Sequence, residues 1–428
     1  MVIMGNWLRT KLTRSFLNLS IRVIFLFSLL FFFSEEELLA QEFARQSLTS
    51  SEMVRVLNRD ERYNLRLGGI KLQIDAALQG EMNDNINLSS SKGALSDLIF
   101  RPGVEAKGGW QVTENNKITS TLGMSFAKYV AHPEYDSTMP LIAPNSESDF
   151  VMAIGDWRVK LFDRFRMQED PTTNGQLSSI AAFRRFENDL GILVDWDLNQ
   201  FILTSGYTWS TFLSIDPTFE SLNRDSHTFI FEPKYLVNEA ITLGLSNQYT
   251  VTDFEKKIQN DSISIRSGPF AEIKLTKYTT TRVEIGYQDY SSDRTGTIQD
   301  SSSFSSIYSR FSVKNRLNKY MNHDLSFTRM AEAGIGSNFV DRISVDYGVD
   351  WQIVKDTGLR GVVFYENLSS SGGNAEVADR YGLLGRLSYP LTISTMVALE
   401  YRFTYKDSNL FEKDYIQNVT SAIVSYSF

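Results

Sequence analysis

Stretches of about ten residues in which apolar and polar side chains alternate recur from residue 70 to the C-terminus, and no other property of this chain limits its fold as much. Ile70, Leu72, Ile74, Ala76, Leu78 and Met82 share one face, against Lys71, Gln73, Asp75, Gln79 and Glu81 on the other. Ile343, Val345, Tyr347, Val349, Trp351 and Ile353 oppose Arg342, Ser344, Asp346, Asp350 and Gln352 in the same way. The pattern repeats at Ile241–Val251, Val283–Tyr287 and Val397–Tyr405. It ends with Ala422, Val424, Tyr426 and Phe428 on one face of the last strand. A period of two describes a strand with two unlike faces. Ten residues, tilted, cross a hydrocarbon layer. One or two such runs suit a soluble sandwich. This many suit a sheet closed on itself, with lipid outside and water or packed polar groups inside.

The connections alternate too. Glu114–Asn116, Asn199–Gln200, Lys355–Thr357 and Ile393–Thr395 read as short turns, whereas Asp84–Arg101, Ala131–Glu147, Glu169–Arg184 and Ile215–His227 read as long polar loops. Short periplasmic turns and longer outer loops are the asymmetry of bacterial barrels. Assigning Gly155–Asp156 as a two-residue hairpin brings the count to about 18 strands, with 16 as the alternative. The expected fold class is therefore all-β, a transmembrane antiparallel up-and-down β-barrel. Two features resist it. Pro233, Pro269 and Pro390 fall inside or at the ends of strands, where bulges or strand ends must accommodate them. Between His323 and Ile335 the period weakens, because Arg329 falls on the face of Leu325 and Phe327.

Residues 1–40 read as a signal peptide. Arg9, Lys11, Arg14 and Arg22 form a basic start, Val23–Phe33 is the apolar core, and a cut after Ala40 follows. The apolar run is too short for a spanning helix, and Glu35, Glu36 and Glu37 stop it. Residues 41–62 are expected to form a short periplasmic or plug segment, and 63–428 the barrel. The chain carries a formal charge of -8 and no cysteine, so neither nucleic acid nor a disulfide framework is indicated.

Short motifs in order along the chain resemble the beta-barrel porin 2 family of bacterial outer-membrane proteins. They are Asn64-Leu65-Arg66-Leu67-Gly68, Asn83-Asp84-Asn85-Ile86, Asp163-Arg164-Phe165 with Glu169-Asp170-Pro171, then Tyr401-Arg402-Phe403, Asp407-Ser408-Asn409-Leu410 and Asp414-Tyr415 with Asn418. Where that family usually has His before Asp-Arg-Phe, this chain has Phe162. The resemblance implies an outer-membrane barrel without catalytic residues, in a family often linked with exopolysaccharide export.

A barrel this wide encloses an aqueous lumen unless something fills it. Arg158, Lys160, Arg164 and Arg166 alternate along one strand, and Arg310, Lys314 and Arg316 along another. Such ladders focus anions in a low-dielectric wall. The competing reading pairs them with acids such as Glu272, Glu284, Asp346, Asp350, Glu366 and Glu400 in a packed polar interior. The candidate pore-lining set is completed by Arg402. Ala131–Glu147, with three prolines, is either an inward constriction or a plain surface loop. Asp225-Ser226-His227 offers an Asp–His pair of the kind that activates water, without a facing carboxylate pair. Glu81, Asn83, Asp84 and Asn85 are either a Ca²⁺ site or an Asx turn. Trp110, Trp157, Trp196, Trp209 and Trp351 are either girdle residues or sugar platforms. The expectation is a non-enzyme without cofactor or metal that passes small hydrophilic solutes, with a lean toward anions. The alternative is a non-conducting accessory barrel of an exopolysaccharide export system. Expected partners are outer-membrane lipid, the barrel-assembly machinery, through Tyr426 and Phe428 as an insertion signal, and small solutes or polysaccharide.

Overall fold

A computed structural model describes residues 63–428 apart from 91, 355, 356 and 374. The expected signal peptide, the segment 41–62 and the Lys355-Asp356 turn lie outside the described residues. Among the described residues, eighteen long strands run in chain order around the barrel. The first six are β1 (Ile70–Asn83), β2 (Asp97–Thr113), β3 (Asn116–Ser125), β4 (Glu147–Ile154), β5 (Trp157–Gln168) and β6 (Arg185–Leu198). Next come β7 (Phe201–Ser214), β8 (Arg224–Leu236), β9 (Ile241–Phe254), β10 (Ser262–Thr276), β11 (Thr279–Ser292) and β12 (Phe304–Asn318). The last six are β13 (Met321–Ala333), β14 (Phe339–Val354), β15 (Thr357–Ser370), β16 (Val377–Pro390), β17 (Thr395–Ser408) and β18 (Tyr415–Ser427). Each pairs antiparallel with its predecessor. The ring closes where β1 meets β18, from Asp75 opposite Ser427 to Asn83 opposite Val419. The up-and-down barrel of about 18 strands therefore holds, and 16 is set aside. Gly155 and Asp156 make the expected two-residue hairpin, with Gly155 at φ 57° and Ile154 opposite Trp157.

Alternation sorts the side chains. Leu78, Met82, Ile192, Val363 and Leu383 stand exposed on the outer face, an apolar surface too extensive for water. Closure satisfies most of the strand main chain without solvent, which is what a bilayer demands of a spanning structure. The chain is a transmembrane barrel whose place is the bacterial outer membrane. Aromatic belts mark both interfaces. Near the short turns Trp157 stacks on Trp196 at 4.9 Å, and Phe201 lies 5.0 Å from Tyr235. Near the long loops His227 lies beside Tyr207 and Trp209. All five of the tryptophans named above face outward, so they serve as belt residues.

The inner face has its own packing rule. Phe162 lies over Gly191, Phe270 over Gly244, Tyr308 over Gly286 and Phe364 over Gly382, so close that an added Cβ would come within 2.5 Å of each ring. An arginine covers each ring in turn: Arg164 on Phe162 at 4.9 Å, Arg282 on Phe270 at 4.0 Å, Arg266 on Tyr308 at 5.9 Å and Arg380 on Phe364 at 5.6 Å. The prolines fit without an edge strand. Pro390 ends β16. Pro233 and Pro269 keep their pairing to one neighbour, opposite Leu203 and Leu245, and sit where the ladder to the other neighbour lapses. There the missing N–H removes no rung.

Candidate functional site

The loop between β5 and β6, residues 169–184, turns into the lumen and crosses it. Its start is built by Asp170, whose carboxylate accepts the Thr172 N–H at 2.8 Å and caps a short 3₁₀ turn opened by Pro171. From there it meets the wall at β2 and, across the lumen, at β15 to β17. Glu169 accepts from Arg101 of β2 at 3.3 Å, and Asp170 lies 3.7 Å from Arg402 of β17. The Arg380 guanidinium of β16 donates to the Thr172 carbonyl at 2.8 Å, and the Lys406 ammonium of β17 to the Ser178 hydroxyl at 3.0 Å. Gly175 presses on Leu368 and Arg380, where a Cβ would meet atoms at 2.5 and 2.7 Å. Burial raises the Glu169 carboxyl above its ordinary range, offset in part by Arg101 and Arg184. Burial pushes Asp170 the same way, but Arg402 and the Thr172 hydrogen bonds outweigh it and hold that carboxyl low.

The loop that fills the lumen is thus not Ala131–Glu147. That segment extends the wall instead: Leu141–Ile142 pairs with the end of β3 and with Met167 of β5. Its Pro144 alone reaches the cavity described below.

The ladder residues take the inward parity, and most are paired. Arg158 meets Asp197 at 3.0 Å, Lys160 meets Asp149 at 2.7 Å, Arg164 meets Glu147 at 3.4 Å, and Arg166 meets Glu187. Glu284 is buried, 2.9 Å from the Tyr308 hydroxyl, 3.0 Å from Arg282 and 3.9 Å from Arg310. Asp346 accepts from Ser326 at 3.3 Å, Asp350 meets Arg360 at 3.5 Å, and Glu400 lies between Arg386 and Arg402. Lys314 and Arg316 share the parity of Tyr308 and Arg310 in the half nearer the short turns, and both are exposed there.

On one side of the crossing loop a cavity of about 180 Å³ remains. Five arginines line it, Arg166, Arg185, Arg224, Arg342 and Arg380, against three glutamates, Glu187, Glu332 and Glu366. Arg342 binds Glu366, and Arg380 meets the same carboxylate at 2.6 Å. Arg185 meets Glu187 at 2.8 Å. Arg224 differs. It stacks on Phe212 at 4.4 Å, donates to the Leu222 carbonyl at 3.1 Å, and among the described residues has no ion pair. Of these arginines only Arg166 belongs to the candidate set read from the sequence. The others each sit near the outer end of a different strand and become neighbours only once register is known.

Two further candidates resolve against chemistry. Asp225 and His227 face the outer aromatic belt, with Asp225 accepting from Trp209 at 3.0 Å and His227 bonded to the Tyr207 hydroxyl at 2.8 Å. Ser226 faces the other way, beside Thr252. Glu81 points inward to Arg101 and Arg402, whereas Asp84 bonds Asn418. The Asn83 side-chain oxygen Oδ1 accepts the Asn85 N–H at 3.0 Å, the Asx turn rather than a calcium cage.

No family model matches this chain, so the porin 2 resemblance goes unsupported, and no curated protein matches it in sequence. Among solved structures it is similar to OccK2 (OpdF) of Pseudomonas aeruginosa in complex with glucuronate, at 11% identity and a TM-score of 0.48, covering 85% of this chain and 98% of that one. It is also similar to OccK5 (OpdH) of the same organism, at 9% identity and 0.47, with 85% and 98% covered. A third is OccAB3 of Acinetobacter baumannii, at 11% and 0.45, with 83% and 99% covered. The fold assignment rests on this chain's own strand pairing, which closes the barrel without reference to them.

Proposed function

We propose that this barrel gives small hydrophilic solutes passive passage across the outer membrane, with a preference for anions. The observation that carries this reading is the lumenal cavity with five arginines against three glutamates, in which Arg224 holds an aromatic-backed guanidinium that makes no ion pair among the described residues. A guanidinium placed so offers a fork of donors to a passing carboxylate or phosphate. The exposed Lys314 and Arg316, which make no ion pair among the described residues, add positive charge on the same inner wall toward the periplasm, where they draw anions by focusing. The paired ladder residues Arg158, Lys160 and Arg164 set the wall's shape in this reading and contribute less to selectivity.

The accessory barrel of an exopolysaccharide export system is the second reading. It draws on the loop crossing the lumen and on the ion-paired ladder, both of which narrow the path. Single-channel recording of the refolded barrel in a planar bilayer, with reversal potential across a salt gradient, separates the two. Stepwise conductance with anion preference is expected, reduced severalfold in selectivity by Arg224→Ala and further by replacing Lys314 and Arg316. A heat-modifiable, folded barrel that never conducts would overturn passive passage and leave the accessory role.

A further inference from the structure

The wall is not continuous. From the short turn upward, β12 and β13 pair as far as Ser309 opposite Arg329, and there the ladder ends. Above it Phe304–Tyr308 keep only β11, and Met330–Ala333 keep only β14. The freed tip of the β13–β14 hairpin lies inside its neighbours. Ala331 and Phe339 take the outward parity of their strands, yet they pack against Tyr290 and Phe304, which take the inward parity of theirs. Phe339 lies 5.6 Å from Phe304 and 6.0 Å from Tyr290, ring to ring. The wall overlaps itself.

A side chain replaces the missing strand. The Gln288 amide of β11 donates to the Ala331 carbonyl and accepts the Ala331 N–H, both at 2.9 Å. The hairpin loop is latched as well. The Asn338 N–H donates to Asp300 at 2.8 Å, the Asn260 amide to Asn338 at 2.8 Å, and the Ile335 N–H to Gln176 of the crossing loop at 2.8 Å. Glu332, Ala333, Val340 and Arg342 on the tucked tip form one side of the lumenal cavity.

The sequence nevertheless fits a completed wall. Extending the register past Ser309–Arg329 puts Ile307 opposite Ala331, both outward and apolar, and Ser306 opposite Glu332, both inward and polar. We propose that the β13–β14 tip is a two-position gate in the barrel wall: tucked inside, as here, it narrows the lumen, and flush with β12 it completes the ladder and widens it. Packed elements of this kind switch between discrete arrangements rather than deform continuously. The Gln176–Ile335 bond ties the tip to the loop across the lumen, so solute entering the cavity pushes on both.

The chain has no cysteine, so introduced pairs are its only thiols. Phe304→Cys with Phe339→Cys should trap the tucked position, and either Ser306→Cys with Glu332→Cys or Ile307→Cys with Ala331→Cys the flush one. Under mild oxidation of the refolded barrel in vesicles, all three pairs are expected to lose reactivity toward maleimide. Gln288→Ala should speed closure of the flush pairs severalfold while the barrel stays heat-modifiable. In bilayers the flush disulfides should raise the conductance step, and the tucked disulfide should hold it low, each reversed by reductant. Flush pairs that stay reactive while the tucked pair oxidises would overturn the gate, as would flush disulfides that leave the conductance step of a conducting barrel unchanged. Thiol loss is read without current, so failure of the gate and failure of passive passage remain distinct results.

Discussion

Two amides, Asn64 and Gln288, stand in for missing strands. Asn64 accepts the Ile74 N–H at 3.2 Å and donates at 2.9 Å to the Ile74 carbonyl, which the Phe428 N–H also reaches, next to the end of the β1–β18 pairing. Gln288 does the same for Ala331 at the seam. An unpaired main-chain group in a spanning wall costs more than either side chain's freedom, which is why an amide, donor and acceptor together, sits at both breaks. The glycines on the inner face act in the opposite sense, by leaving room. Gly191 lies under the Phe162 ring, at 2.3 Å from where its Cβ would be, and near the Tyr207 carbonyl at 2.8 Å. Gly191→Val must expel the ring, and overpacking of this kind costs about 1–3 kcal/mol. Urea unfolding in vesicles, followed by tryptophan fluorescence, should show that loss. In a Phe162→Ala background the same valine should cost less, because the ring clash has been removed and only the Tyr207 carbonyl contact remains. Equal costs in both backgrounds would mean that the ring does not rest on the glycine.

At the scale of the strand, the two faces obey different rules, and this is where sequence was most legible. Leu383 on β16 and its outward neighbours need only be apolar, so their pattern is visible in any window of ten residues. Leu383→Arg should therefore cost about 2–4 kcal/mol near the midplane. A vesicle unfolding titration would check this, and a neutral result would place Leu383 away from the lipid. The inner face was legible only in part. The parity of Arg158, Lys160, Arg164 and Arg166 could be read, but not that Asp149, Glu147, Asp197 and Glu187 wait opposite them, because a partner one strand away depends on register. The cavity arginines were less visible still, scattered over β5, β6, β8, β14 and β16 and brought together by closure alone. The seam did leave a trace. Arg329 broke the apolar face because it lies outward at the top of the β12–β13 ladder, answered by Asp341 at 2.9 Å, just where the strand departs from its neighbour.

For the whole molecule the decisive contact is the one made last in sequence. β1 and β18 pair across residues 75–83 and 419–427, so closure brings together nearly the full described chain and carries a large loop-closure cost before any rung repays it. Tyr426 and Phe428 lie 5.2 Å apart, edge to face, on the outer surface, and the Phe428 N–H donates to the Ile74 carbonyl at 3.1 Å. Once the barrel is closed, Phe428 adds one hydrogen bond and a half-exposed ring, a small share of a ladder nine pairs long on that edge. Before closure it is the apolar end of a strand paired on one edge only, and we propose that the barrel-assembly machinery recognises it there. Deleting Phe428 should therefore separate stability from assembly. Refolded in vesicles, the shortened barrel should unfold within about 1 kcal/mol of the full chain, since a single net hydrogen bond is worth no more than that. Expressed in cells, the heat-modifiable fraction recovered from the outer membrane should fall severalfold. A deletion that unfolds the purified barrel as severely as it lowers cellular yield would assign Phe428 to closure itself, and one that alters neither would remove it from both.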